Sequence, residues 1–205
     1  MNQPLRPFDV SNTLTYASLL SGVGAFCAAL QGSQAACGAL LATAVVCDSF
    51  DGQLARRLRR RSSCLTSGGA DVGGDLDSLV DAVTFGAVPI VCAAVLFSPG
   101  GVLWWAAAFV YISCTVTRLA VYNSTAHAAS SSPPDFIGLP SPVAALLWSS
   151  AFFFNPPAGP LACLALATGL AMLAPFRIPR PMGMGLLLFT MWPAALIVGH
   201  VVANR

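Results

Sequence analysis

Long apolar runs, separated by short polar stretches, dominate the chain. A helix needs roughly 20 residues to cross a bilayer, and runs near that length lie at about residues 12–31, 35–55, 76–97, 101–122, 141–155, 158–175 and 183–203. Because lipid offers an unpaired backbone amide no partner, we expect each run to be helical. The fifth run is short and the seventh contains Pro193, so six to eight spans are compatible with the pattern.

Composition supports a membrane protein. Of the 205 residues, 56% are hydrophobic and only 9% are charged, whereas a soluble domain carries about 25% charged residues. We therefore predict an all-α integral membrane protein, a bundle of about seven transmembrane helices that forms a single domain over residues 1–205. The net charge of +2 gives no reason to expect a nucleic-acid partner.

Arginine distribution predicts the orientation. All ten basic residues are Arg and all eight acidic residues are Asp. With the N-terminus in the cytoplasm, nine of the ten Arg fall on the cytoplasmic side and Arg205 alone falls outside, as the positive-inside rule expects. The predicted extracytoplasmic connections are short, and the cytoplasmic connections 57–72 and 123–140 are longer and more polar.

Four carboxylates stand at the ends of two consecutive apolar runs. Asp48 and Asp51 are three residues apart, Asp77 and Asp81 are four apart, and such spacings place each pair on one helical face. If run 35–55 descends to the cytoplasm and run 76–97 returns, the two pairs face each other near the cytoplasmic boundary.

Such a concentration of acidic groups needs compensation. Ionised residues within spans cost several kcal/mol each and generally mark function. Clusters of carboxylate oxygens suit Mg²⁺ or Mn²⁺, and two such cations can clamp a phosphate between attacking and leaving oxygens. Nearby small residues leave room for a bulky ligand, and Arg56 can reach a diphosphate with a planar fork of donors. The small residues are Gly52, Ala55 and Gly73.

These residues resemble the signature of the CDP-alcohol phosphotransferase family, D-x2-D-G-x2-A-R-(x8)-G-x3-D-x3-D. All eight motif positions match, and they are Asp48, Asp51, Gly52, Ala55, Arg56, Gly73, Asp77 and Asp81. One departure lies between the halves: sixteen residues, 57–72, separate Arg56 from Gly73, where the family usually has eight. We read 57–72 as an enlarged cytoplasmic loop and transfer no ligand contact from it.

Further stretches are similar to the phosphatidylserine synthase branch of that family. They are "LDSLVDAVTFGAVP" (76–89), "TRLAVYN" (117–123), "FIGLPSPVAA" (136–145) and "SNTLT" (11–15). The resemblance covers roughly residues 8–180 and leaves out the last span, about 183–203. It implies an enzyme in a bacterial or archaeal cytoplasmic membrane, with its active site facing the cytoplasm and a homodimeric assembly.

The resemblance also implies roles for the motif residues. The four carboxylates Asp48, Asp51, Asp77 and Asp81 bind two divalent cations, Mg²⁺ or Mn²⁺. Asp81 is in addition the general base that takes the proton from the acceptor hydroxyl. That hydroxyl, on L-serine, attacks the β-phosphorus of CDP-diacylglycerol and expels CMP. The CDP-diacylglycerol contacts are Asn12, Gly52, Ala55, Arg56 and Gly73.

Arg118 ends the fourth run on the predicted cytoplasmic side. It is either a contact for the carboxylate of the serine acceptor or another anchor for topology, and the sequence leaves both open. Asn123 and Ser141 are interpreted as ordinary loop polarity. His127 and His200 are isolated and receive no role, and the seven Cys are interpreted mainly as small apolar fillers.

Two other functions are compatible with the sequence. The same chemistry can use another acceptor alcohol, such as glycerol 3-phosphate, an inositol phosphate or choline. A cation transporter using the Asp cluster is a remote alternative, since it predicts ionisable residues deep in several spans. Six of the eight Asp lie within residues 48–81, which favours an enzyme.

Overall fold

The helices lie where the apolar runs predict them. The computed structural model describes residues 12–61, 72–128, 136–178 and 184–203. Within these ranges the α-helices are α1 (Asn12–Leu30), α2 (Gln34–Arg61), α3 (Val72–Asp81), α4 (Val88–Phe97), α5 (Val102–Ala128), α6 (Ser141–Ala151), α7 (Ala158–Leu173) and α8 (Met184–Ala203). A π-helical segment, Ala82–Ala87, joins α3 to α4 without a break.

Helix length and composition agree with a membrane location. Among the described residues, three helical stretches are long and apolar enough to cross a membrane: Thr13–Leu30, Gly73–Phe97 and Val102–Thr125. Shorter apolar helical stretches lie at Gln34–Phe50, Ala158–Leu173 and Met191–Ala203, and α6 has 11 residues. The predicted all-α membrane fold is confirmed.

Some boundaries differ from the predicted ones. Helix α6 stops at Ala151 rather than at 155, because the chain turns at Asn155, whose φ is +45°, and two prolines follow. Helix α2 continues to Arg61, so residues 57–61 of the predicted loop are helical. Arg and Leu are good helix formers, and this polar end therefore extends the helix beyond its apolar part.

A two-residue antiparallel pair joins the loop before α6 to the end of α7. Strand β1 (Phe136–Ile137) pairs with β2 (Arg177–Ile178). Gly138 follows at φ +70°, and a Cβ there would collide with the backbone carbonyl of Met172. The Gly138 amide instead donates to the Phe176 carbonyl at 2.8 Å. Only glycine fits this close approach, which places the start of α6 beside α7.

Aromatic side chains fill the centre of the bundle. The Trp148 ring of α6 meets Tyr111 of α5 edge-on, with ring centroids 5.9 Å apart. It meets Trp104 in the same way at 6.5 Å. All three side chains are almost completely buried. Such edge-to-face pairs fix ring orientation as well as burying area, so α5 and α6 hold a defined register.

Contacts of His200 and Ser149 hold three helices together at one end of the bundle. This side chain of α8 is buried, stacks on Phe153 with centroids 3.6 Å apart, and its Nε2 lies 3.0 Å from the Ser149 carbonyl oxygen. The Ser149 hydroxyl donates to the Gly38 carbonyl at 2.8 Å. The C-terminal ends of α6 and α8 therefore meet the N-terminal end of α2, in an antiparallel arrangement.

Candidate active site

Three carboxylates from two helices converge at the opposite end of the bundle. Asp48 of α2 and Asp77 and Asp81 of α3 each offer one carboxylate oxygen, and these oxygens all lie within 4.8 Å of one another. All three residues are half-buried. The predicted meeting of the two Asp-bearing ends is therefore observed for these three residues, which we call the carboxylate cluster.

The cluster fits a divalent cation by its donor chemistry. Hard oxygen donors at this spacing are the ligand set that Mg²⁺ and Mn²⁺ prefer. Three anionic groups that share a half-buried volume repel one another, and a cation between them relieves the repulsion. Asp48, Asp77 and Asp81 are thus the residues of the described structure that could hold a metal ion.

Several predicted site residues lie partly outside the described structure. Asp51, Gly52, Ala55 and Arg56 belong to α2 by their backbone, but their side chains lie outside the described residues. Helical spacing puts Asp51 one turn beyond Asp48 on the same face. Asn12 is the first residue of α1, and its side chain is likewise outside the described part.

The remaining predicted residue of the motif, Gly73, lies in the first turn of α3. It precedes Asp77 by four residues, so it shares the face that carries Asp77 and Asp81. Glycine has no side chain, so this position adds none to the face that carries Asp77 and Asp81. Residues 62–71, most of the predicted enlarged loop, lie outside the described residues.

Arg118 is buried next to the carboxylate cluster. Its side chain is only 9% exposed, and its charge interacts with Asp81. The Nη1 atom donates to the Ser141 hydroxyl at 3.3 Å, while Nε has no hydrogen-bond partner among the described residues. A solvated topology anchor would be exposed, so the burial of Arg118 argues against that role.

Two polar residues that the sequence interpretation dismissed have definite partners. Ser141, at the first turn of α6, accepts the hydrogen bond from Arg118. Asn123 of α5 accepts a hydrogen bond from the Ser78 hydroxyl of α3 at 2.8 Å. Their interpretation as loop polarity is therefore wrong. Asn123 and Ser141 lie in the stretches 117–123 and 136–145 that are similar to the phosphatidylserine synthase branch, and that similarity was the available signal for both.

The π-helical segment was also missed. It begins directly after Asp81 and ends before Pro89, and the sequence interpretation treated 76–97 as one regular run. Pro89 was the available signal, because proline inside a helix removes a backbone donor.

Comparison with known proteins agrees with this geometry. The model of the CDP-alcohol phosphatidyltransferase family matches residues 8–192, which include every residue of the carboxylate cluster. The chain belongs to this family.

Two curated relatives have names that refer to serine, as the substrate or as part of the product. The chain is 32% identical to the CDP-diacylglycerol–serine O-phosphatidyltransferase of Bacillus subtilis over 174 residues, which cover 82% of this chain and 87% of the relative. It is 30% identical to the archaetidylserine synthase of Methanothermobacter thermautotrophicus over 181 residues, 84% of this chain and 70% of the relative.

A longer relative aligns with only part of its length. The CDP-diacylglycerol–serine O-phosphatidyltransferase of Mycobacterium tuberculosis is 29% identical over 138 residues, which cover 66% of this chain and 46% of the relative. The chain thus spans about half the length of the mycobacterial relatives that it matches.

Proposed function

We propose that this chain transfers the phosphatidyl group of CDP-diacylglycerol to the hydroxyl of L-serine, giving phosphatidylserine and CMP. The observation that carries the proposal is the convergence of Asp48, Asp77 and Asp81 within 4.8 Å in a chain of this family. The proposed catalytic domain is the whole of residues 1–205, and from the family resemblance we expect a homodimer.

The carboxylate cluster, extended by Asp51, would hold two divalent cations, Mg²⁺ or Mn²⁺. When bound, such cations neutralise phosphate charge and favour displacement at phosphorus. Asn12, Gly52, Ala55, Arg56 and Gly73 are the proposed contacts for CDP-diacylglycerol. Four of them belong to the motif on α2 and α3, whose described carboxylates lie at the same end of the bundle.

Asp81 is the proposed general base. It accepts the proton of the serine hydroxyl as the serine oxygen bonds to the β-phosphorus. The bond from that phosphorus to the CMP oxygen breaks, and CMP leaves with the bonding electrons. A base must lie within hydrogen-bond reach of the proton that it takes, and the charge of Asp81 interacts with that of the buried Arg118, the proposed contact for the serine carboxylate.

Arg118 is the proposed contact for the serine carboxylate. Its Nε lacks a hydrogen-bond partner among the described residues, and a guanidinium pairs well with a planar carboxylate. If the carboxylate binds there, the serine hydroxyl lies on the side of Asp81. Choline carries no anion for this guanidinium, and a phosphorylated acceptor needs more positive charge than one described Arg supplies.

The proposed orientation puts this site at the cytoplasmic face. The Arg-rich end of α2 (56–61) follows the carboxylate cluster along the helix, and positive charge accumulates on the cytoplasmic side of membrane proteins. Water-soluble serine then enters from the cytoplasm, while the acyl chains of the donor lie between helices in the bilayer.

A CMP-release assay tests the proposal. The purified protein in nanodiscs receives CDP-diacylglycerol, Mn²⁺ or Mg²⁺, and one acceptor at a time: L-serine, glycerol 3-phosphate, an inositol phosphate or choline. We expect CMP and phosphatidylserine with L-serine only, and no CMP after chelation of the metal. CMP release with another acceptor and none with serine would overturn the acceptor assignment, and full activity of Asp81→Asn would overturn the base assignment.

A further inference from the structure

The helix that carries two of the cluster carboxylates changes its winding directly after Asp81. Helix α3 ends at Asp81, and residues Ala82–Ala87 form a π-helix before α4 begins. The Val88 amide donates to the Val83 carbonyl, a bond between residues five apart. π-Helical turns are rare, and they frequently occur at functional sites.

Pro89 accounts for the change. In an α-helix the carbonyl of Phe85 would accept from the amide of residue 89, but proline has no N–H, and its ring collides with the carbonyl four residues earlier. The Phe85 carbonyl is therefore displaced from its α-helical position and needs another donor, because an unpaired buried carbonyl is costly.

Tyr111 of α5 supplies that donor. Its hydroxyl donates to the Phe85 carbonyl oxygen at 2.7 Å in the buried interior. The Tyr111 side chain is completely buried, and its ring is held edge-on against Trp148. The hydroxyl therefore has a fixed position, and it pins one carbonyl of the π-helical segment to α5.

Close approaches to α1 and, at a second point, to α5 also hold this segment. A Cβ at Gly22 of α1 would lie 3.0 Å from the Thr84 methyl carbon, and a Cβ at Gly86 would lie 3.2 Å from the Thr115 methyl carbon of α5. These close approaches leave the segment little freedom to rewind, so its register is determined by packing as well as by the Tyr111 hydrogen bond.

The register of this segment decides where the carboxylates point. An α-helix turns about 100° per residue, given 3.6 residues per turn, and a π-turn accommodates about one extra residue. The residues before the segment are therefore rotated by about 100° about the helix axis, compared with the positions they would have if α4 continued towards the N-terminus as a regular α-helix. Asp77 and Asp81 lie before the segment, and they face Asp48 with this rotation in place.

We propose that Tyr111 is a positioning residue for the carboxylate cluster. Its hydroxyl holds the Phe85 carbonyl, the held carbonyl keeps the π-helical segment in register, and that register aims Asp77 and Asp81 at Asp48. The inference rests on the proposed function only in treating the cluster as a cation site. It assigns Tyr111 no contact with substrate.

The test compares two variants that each remove one buried hydroxyl. Tyr111→Phe removes the bond to Phe85, and Ser149→Ala removes a buried bond of similar length, from Ser149 to the Gly38 carbonyl at 2.8 Å, at the other end of the bundle. Mn²⁺ affinity is measured without substrate, from the electron paramagnetic resonance signal of free Mn²⁺, and thermal unfolding is recorded in parallel.

We expect Tyr111→Phe to weaken Mn²⁺ binding roughly tenfold, the scale seen when a residue that orients a metal ligand is lost. Ser149→Ala should leave the Mn²⁺ affinity unchanged, although it should lower the unfolding temperature about as much as Tyr111→Phe does. Equal Mn²⁺ affinity in wild type and Tyr111→Phe, or an equal loss in both variants, would overturn the inference.

The Pro89→Ala variant tests whether Tyr111 acts through its hydrogen bond to the Phe85 carbonyl. Pro89→Ala restores an amide that can donate to the Phe85 carbonyl, so Tyr111→Phe should change Mn²⁺ affinity less in that background than in wild type. An undiminished effect there would show that Tyr111 acts by another route. If Pro89→Ala yields no folded protein, the comparison with Ser149→Ala decides alone.

The outcomes separate this inference from the proposed function. If Tyr111→Phe binds Mn²⁺ as the wild type does and the wild type releases CMP, the positioning role of Tyr111 is overturned and the proposed transferase activity stands. If Mn²⁺ binding depends on Tyr111 but CMP is released with none of the acceptors, the proposed transferase activity is overturned and the positioning role of Tyr111 stands. A wild-type protein that binds no Mn²⁺ overturns the inference.

Discussion

Asp48 of α2 and Asp81 of α3 place carboxylate oxygens within 4.8 Å of each other, although ten residues, 62–71, separate their helices along the chain. Neither position is a cation site alone. Asp77, one turn before Asp81, completes a set whose members come from both halves of the sequence motif.

Removing one cluster carboxylate should abolish metal-dependent activity. We expect Asp48→Asn and Asp77→Asn each to lower CMP release by more than roughly 100-fold, since residues that only support metal ligands contribute about 10–100-fold. Asp75→Asn is the matched control, because Asp75 lies on the same helix but is exposed and outside the cluster. Comparable losses in all three variants would contradict a localised site.

Loss of the Arg118 charge should weaken serine binding selectively. A hydrogen bond to a charged group contributes about 1.5–3 kcal/mol, and each ~1.4 kcal/mol corresponds to a factor of ten. We therefore expect Arg118→Gln to raise the KM for serine by about 10–100-fold, with the KM for CDP-diacylglycerol unchanged.

Ser141→Ala provides the comparison for that prediction. It removes the partner of Nη1 and leaves the guanidinium in place, so its effect on the serine KM should be smaller. Equal increases in the KM of both substrates in Arg118→Gln would indicate a general loss of structure instead of a lost acceptor contact.

The Ser78–Asn123 hydrogen bond should couple α3 to α5. A double-mutant cycle with Ser78→Ala and Asn123→Ala, followed by equilibrium unfolding in detergent, should give a coupling free energy of about 0.6 kcal/mol, the average for such bonds between membrane helices. In the control cycle Ser124→Ala replaces Asn123→Ala. Ser124 donates within its own helix, to Val121, and its coupling to Ser78 should be zero.

The contact of α2 with α8 should not tolerate a side chain at Gly38. A Cβ there would collide with the His200 ring, which is buried and stacked on Phe153. We expect Gly38→Ala to lower the free energy of unfolding by about 1–3 kcal/mol, as overpacking does, and His200→Ala to restore part of the loss by making room.

Gly24→Ala is the control for that substitution. Gly24 also lies in a helix, but a Cβ there meets only Leu40 at the ordinary distance of 3.4 Å. Replacing a helical glycine by alanine then stabilises by up to roughly 1 kcal/mol. Thermal unfolding of both variants is the measurement, and equal destabilisation would contradict a specific α2–α8 contact.

Much of the fold follows from the chain itself. Runs of apolar residues near the length of a membrane span have one stable conformation in lipid, the helix, and the helices of the structure lie at the predicted runs. The spacing of Asp48, Asp51, Asp77 and Asp81 likewise determines which helical face each carboxylate shares. These are local properties, set by periodicity and solvation.

The contacts of Arg118 depended on tertiary structure. Its sequence position is compatible with a solvated anchor or a ligand contact. Only the packed bundle buries it, brings it to Ser141 of α6 and lets its charge interact with that of Asp81 on α3.

The carboxylate cluster likewise depends partly on the sequence and partly on the tertiary structure. The sequence determined that two acidic helical faces exist. Whether those faces meet depends on the winding of Ala82–Ala87, which the Tyr111 hydroxyl and the glycines at 22 and 86 hold in place. Those partners are remote in sequence, and a hydrogen bond or a close approach between remote residues forms only when the helices are packed.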